Sequence, residues 1–148
     1  MKRSLICILF FSCFHIAQAD EELATYMSQL QVLTHKLNLS INANNVRLTH
    51  FYLHESMAKL EEIQNDVPEY EDLPIAVYLD RYGYPAYEDL KRTLKNEVSS
   101  EDQLHASMNK IIDGCNQCHK ATKMGFIHIT PSTHNPFNQI FKPGQTNE

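Results

Sequence analysis

Cys115-Asn116-Gln117-Cys118-His119 is the stretch of this chain whose residue types and spacing can do chemistry. It reads C-x-x-C-H. Two thiols three positions apart on a helix reach the vinyl groups along one edge of a haem, and the histidine that follows turns its imidazole to the iron. Cys115 and Cys118 are therefore the expected covalent attachment points of a single haem c. His119 is the expected proximal iron ligand. Three other chemistries share parts of the pattern. A thioredoxin-type dithiol needs a βαβ setting, which the chain does not show. A zinc site needs further ligands and usually a second paired motif, and none stands nearby. A structural disulfide across a two-residue gap inside a helix has poor geometry.

The element that must carry the motif is a helix starting at Ser99 or Ser100 and running towards Lys123. Ser caps its start, and Glu101 to Gln103 feed its positive end. At about 100° per residue, Leu104, Met108, Ile111, Cys115, Cys118 and His119 share one face. The attachment residues thus sit on the core-facing side. Upstream, Leu23, Tyr26, Leu30, Leu33, Leu37 and Ile41 recur at helical spacing and predict a helix over Glu21 to Ile41. Val46, Leu53, Met57, Leu60, Ile63 and Val67 predict a second from about Asn45 to Asp66, stopped by Pro68. A third, shorter helix starts at Pro74 and is interrupted by Gly83 and Pro85. Helical pattern resumes from Ala86 to about Val98. No alternating β pattern and no repeat competes. The expected fold is all-α: an antiparallel four-helix bundle with haem near the end of the last helix, followed by an irregular C-terminal extension. Pro131, Pro136 and Pro143 forbid a long helix there, and Phe126, Phe137, Ile140 and Phe141 are apolar enough to pack on the bundle.

The start of the chain reads as an address. Lys2 and Arg3 precede an apolar run from Leu5 to Phe14, and Ala17-Gln18-Ala19 forms a small-residue cleavage signature. The run is about ten residues, whereas a spanning helix needs ~20. The expected organisation is a signal peptide over residues 1–19, cleaved after Ala19, a haem-binding domain over 20–124, and a packed tail over 125–148. Export to the periplasm follows, with no membrane span after cleavage. Acidic residues outnumber basic ones by 18 to 13, a net charge of −5. Losing Lys2 and Arg3 takes the basic count from 13 to 11 and the charge from −5 to −7. Such a chain, without a basic run, is a poor nucleic-acid binder. Its acidic surface instead suits redox partner proteins with a basic docking face.

A bundle with C-x-x-C-H in its last helix resembles the class II c-type cytochromes, the cytochrome c prime group. The resemblance covers about Asp20 to Lys123 and rests on the motif and its late position. It is also similar to a group of exported, little-characterised bacterial monohaem cytochromes, through Thr34-His35-Lys36-Leu37, Phe51-Tyr52-Leu53-His54-Glu55 and Asn135-Pro136-Phe137. Many class II members pair, so a homodimer is among the expected assemblies. The chain departs from class II in continuing well past His119.

Mechanism turns on the sixth iron position. Met27 lies about 60° from the centre of the Leu30-Leu37-Ile41 stripe, and His35 about 140° away, on a polar side with Gln31 and Asn38. Phase favours Met27 as the distal ligand, and the resemblance to low-spin class II members, with an early methionine on iron, points the same way. Ordinary core packing is the competing fate of Met27. His50, His54, His105, His128 and His134 are weaker choices. The expected function is a periplasmic monohaem electron carrier. The alternative is a five-coordinate haem protein that binds or senses a small gas such as NO or CO. No hydrolase or phosphate-loop motif is present. A peroxidase would need a distal histidine and arginine working together, and none of Arg47, Arg81 or Arg92 is visibly paired with one. No enzyme activity is expected.

Overall fold

The computed structural model describes residues 13–96 and 100–144. Among them the backbone is helical or irregular, with one isolated bridge between Tyr70 and Leu73 and no strand. The fold is all-α. Helix α1 spans Cys13–Asn42, α2 Val46–Asp66, α3 Ile75–Tyr78, α4 Tyr84–Lys95 and α5 Glu101–Ala121. A π-helical turn, Leu79–Gly83, joins α3 to α4. The leader expected over residues 1–19 lies outside the described residues as far as Ser12. The helix end expected at Val98 and the last residues of the tail also lie outside them.

Local chemistry sets the boundaries. No Gly or Pro interrupts α1, so helical backbone starts upstream of the predicted Glu21. Its C-terminal end turns at Asn44, whose φ of 52° is left-handed, a conformation asparagine tolerates. Asn45 then caps α2, its side chain accepting the Leu48 N–H at 3.1 Å. Ser100 and Gln103 form a reciprocal capping box at the start of α5, with Glu101 and Asp102 in the first turn.

The predicted interruption at Gly83 and Pro85 is not a break. Pro85 brings no N–H, so an ordinary ladder cannot run through it. The backbone widens by one residue instead, and the Tyr84 N–H donates to the Leu79 carbonyl five residues back. Pro85 then falls in the first turn of α4, where no donor is needed.

The helices pack in a closed ring: α1 on α2, α2 on α4, α4 on α5, and α5 back on α1. The core between them holds Leu37 and Ile41 from α1, Leu53, Leu60 and Ile63 from α2, Leu90 from α4, and Met108 and Ile111 from α5, all nearly sealed from solvent. Each such side chain contributes roughly 1.5–3 kcal/mol by leaving water. One predicted stripe residue falls outside: Val46, at the first position of α2, is 53% exposed. Among the described residues no helix is long and apolar enough to cross a membrane.

Residues 122–144 form no helix. Phe141 is buried in the core, and Ile129 and Phe137 pack against it, while Phe126 and Ile140 stay exposed. Three side chains hold this strap to the first two helices. Asn38 Nδ2 donates to the Ser132 carbonyl at 2.8 Å, Asn45 Nδ2 to the Phe141 carbonyl at 2.9 Å, and the Tyr52 hydroxyl to Gln139 Oε1 at 2.6 Å.

Candidate functional site

Cys115, Cys118 and His119 occupy the last turns of α5, and all three border one cavity of about 610 Å³. That size is within the range of small-molecule sites, roughly 300–1,000 Å³. The walls are mostly apolar. Leu23, Met27 and Leu30 of α1 face Leu60 of α2, Leu73, Ile75 and Leu79 from the segment before α4, and Ile112 of α5. The strap closes one side through Ile127, Ile129, Thr130, Pro131 and Ser132.

A glycine sets how closely α5 approaches the π-turn. A Cβ at Gly114 would lie 2.5 Å from the Tyr82 carbonyl oxygen, so no side chain fits there. The next residue is Cys115, whose depth in the cavity wall follows from that contact. Both cysteines are free thiols. Burial, with the neighbouring Cys118 as a lesser cause, pushes the Cys115 thiol up to about 11. Burial also raises Cys118. Both are therefore protonated near neutral pH.

His119 is oriented from the strap. After α5 the backbone reverses at Lys123, φ 63°, and the Met124 N–H donates to the His119 carbonyl at 2.7 Å. The returning chain brings the Ile127 carbonyl to 2.9 Å from His119 Nδ1. A carbonyl only accepts, so Nδ1 carries a proton, and in the neutral imidazole the lone pair is on Nε2. That tautomer can bind a metal through Nε2 while a backbone carbonyl holds the ring from the other side. Asn116, between the two cysteines, holds the strap in place. Its Oδ1 accepts the Ile129 N–H at 2.7 Å and its Nδ2 donates to the Ile129 carbonyl at 2.9 Å.

Helix α1 brings Met27 to the same cavity. It also brings His35, with Gln31, Thr34 and Asn38. The strap lies across this polar side at Asn38, while Gln31 stays exposed; helical phase alone does not reveal that contact. His50, His54, His128 and His134 are exposed. His105 lies 3.6 Å from Glu101, away from the cavity lining.

Tyr87 and Thr34 form a further pair at the site: spacing suggests a packing tyrosine with a solvated hydroxyl at position 87, but that hydroxyl is buried against Thr34. Tyr87 is 1% exposed and borders the cavity. Thr34 Oγ1 donates to the Leu30 carbonyl at 2.7 Å, which uses its one proton, so the Tyr87 hydroxyl donates to Thr34 at 2.7 Å. Burial, more than the nearby Cys115, drives the phenol far above its usual range. The available signal was spacing, since Tyr87 stands three before Leu90 on one face of α4. Among the described residues no three His, Cys, Asp or Glu side chains converge to hold a metal ion by themselves.

Compared with protein-family models, curated proteins and solved structures, the chain has no match in any of the three.

Proposed function

We propose that this chain is a monohaem c-type cytochrome that carries single electrons outside the cytoplasm, built as an antiparallel four-helix bundle of the class II kind. The observation that carries the reading is the convergence of three features on one cavity. Two free thiols at the motif spacing border it. So does a histidine whose Nδ1 proton is committed to the Ile127 carbonyl. Mostly apolar walls enclose about 610 Å³ beside them.

Each residue then has a defined task. The Cys115 and Cys118 thiols would hold a haem by adding across its two vinyl double bonds, sulfur to one carbon and its hydrogen to the other, so nothing would leave. His119 would offer Nε2 to the iron, with the Ile127 carbonyl keeping that nitrogen basic. The apolar walls exclude water and lower the local dielectric, which sets the potential together with the axial ligands. A haem held here supplies one-electron Fe(II)/Fe(III) chemistry. Helix α1 presents Met27 and His35 to the same space, and ligation by one of them would close a bound iron to added gases. The surplus of acidic residues steers basic redox partners to the surface. The protein's part is to carry the electron rather than to transform a substrate.

The test is production in a host that matures c-type cytochromes, followed by mass measurement of the purified protein. The expected mass is that of residues 20–148 plus one haem, retained after denaturation. Cys115→Ala and Cys118→Ala should each keep a single thioether and shift the reduced absorption band to longer wavelength. A chain recovered without covalent haem sinks the proposal. A haem-loaded protein that is high-spin and shifts sharply with CO replaces electron transfer with gas binding.

A further inference from the structure

We infer that His35, rather than Met27, is the residue of this chain that binds the sixth position of the iron. The inference rests on the haem reading above. Its starting point is an orphan. Among the described residues, two buried side-chain polar atoms have no hydrogen-bond partner, His35 Nε2 and Ser56 Oγ. Only His35 borders the cavity.

Two of its polar neighbours on that wall are bonded within the protein, and a third, Gln31, is exposed to solvent. Thr34 donates to Leu30 and accepts from Tyr87. Asn38 donates to the Ser132 carbonyl. The imidazole nitrogen is what remains, and a buried nitrogen without a partner costs free energy unless something in the cavity meets it. An iron would meet it. Met27 raises no such demand, because a thioether packs in an apolar wall without any hydrogen bond. The two residues do not share the position: eight residues along α1 separate them by about 12 Å.

The ring of His35 is also held. Phe137 of the strap meets it edge-on, with centroids 5.5 Å apart and planes at 65°. Lys36 Nζ in turn lies 4.9 Å from the Phe137 centroid. Strap and helix together fix the imidazole before any ligand arrives, as an axial ligand requires. His119 stands on α5 and His35 on α1, so two different helices supply imidazoles to one cavity.

The experiment uses the full haem-loaded protein, with absorption and electron paramagnetic resonance spectra of both oxidation states and CO added to the reduced form. The expected wild type is low-spin with two imidazole ligands, lacks the thioether-to-iron band when oxidised, and does not respond to CO. His35→Ala should become high-spin and bind CO. Added imidazole should restore the low-spin spectrum, and His35→Met should stay low-spin at a higher potential. Met27→Leu should keep the low-spin spectrum. A thermal melt confirms that each variant is folded. If His35→Ala does not fold, His35→Gln takes its place. A wild type that is high-spin overturns the inference, as does a low-spin state lost in Met27→Leu but kept in folded His35 variants. Those results leave covalent haem intact, whereas a wild type without covalent haem removes the underlying reading as well.

Discussion

At the residue scale, the Thr34–Tyr87 pair has a direction, and mutation should expose it. Tyr87→Phe removes a donor whose acceptor, Thr34, still gives its own proton to Leu30. The expected cost is about 1 kcal/mol. Thr34→Val removes the acceptor instead and strands the buried Tyr87 hydroxyl, for a cost of roughly 1–3 kcal/mol. Urea denaturation of both variants checks the order, and equal losses would mean the proton sits the other way. Asp89 gives the residue-scale pH dependence. It accepts from Lys110 at 2.8 Å, Arg92 at 2.9 Å and Ser107 at 3.1 Å. The Lys110 hydrogen bond, then those of Ser107 and Arg92, hold its carboxyl below the usual carboxylate range against the opposing effect of burial. A depressed folded value contributes stability above the unfolded value of about 4, and that contribution is lost as pH falls towards the folded one. Asp89→Asn should therefore cost ~1 kcal/mol at neutral pH. The difference from wild type should shrink as the unfolding midpoint is followed below pH 4.

At the element scale, Gly114 reverses an ordinary expectation. Gly→Ala inside a helix usually stabilises by up to about 1 kcal/mol. Here the new Cβ would meet the Tyr82 carbonyl at 2.5 Å, and a backbone atom of the π-turn cannot swing aside. Gly114→Ala should destabilise by roughly 1–3 kcal/mol and, on the proposed haem reading, lower haem incorporation by moving Cys115. Thermal melting together with the haem-to-protein absorbance ratio reads both effects. The long helices were legible because each buries a stripe repeating at helical period: Leu30-Leu37-Ile41, Leu53-Leu60-Ile63, Met108-Ile111-Cys115. The cap at Ser100 was legible for the same local reason. The π-turn was not. Gly83 followed by Pro85 reads as a break, and only packing on α2 and α5 makes one widened turn preferable to a stop. His35 was not legible either. A single stripe defines one inner face, but α1 is covered on a second side by a strap about a hundred residues away in sequence.

At the scale of the whole molecule, the strap joins helices distant in sequence. It is anchored on α1 by Asn38, on α2 by Asn45 and Tyr52, and on α5 by Asn116 and His119. Its buried foot is Phe141, 6% exposed. Phe141→Ala should cost about 3–5 kcal/mol. The neighbouring Ile140→Ala, at 83% exposure, should fall within about 0.5 kcal/mol of wild type. Chemical denaturation of the two side by side measures how firmly the strap is seated. A small loss at Phe141 would mean that it lies on the helices without closing the cavity.

The clamp between Asn116 and Ile129 has a thermodynamic consequence. Asn116, between the two cysteines, spends its whole amide on the returning chain. Residue 116 and the segment after His119 therefore form one coupled unit, in which a change on either side is felt on the other.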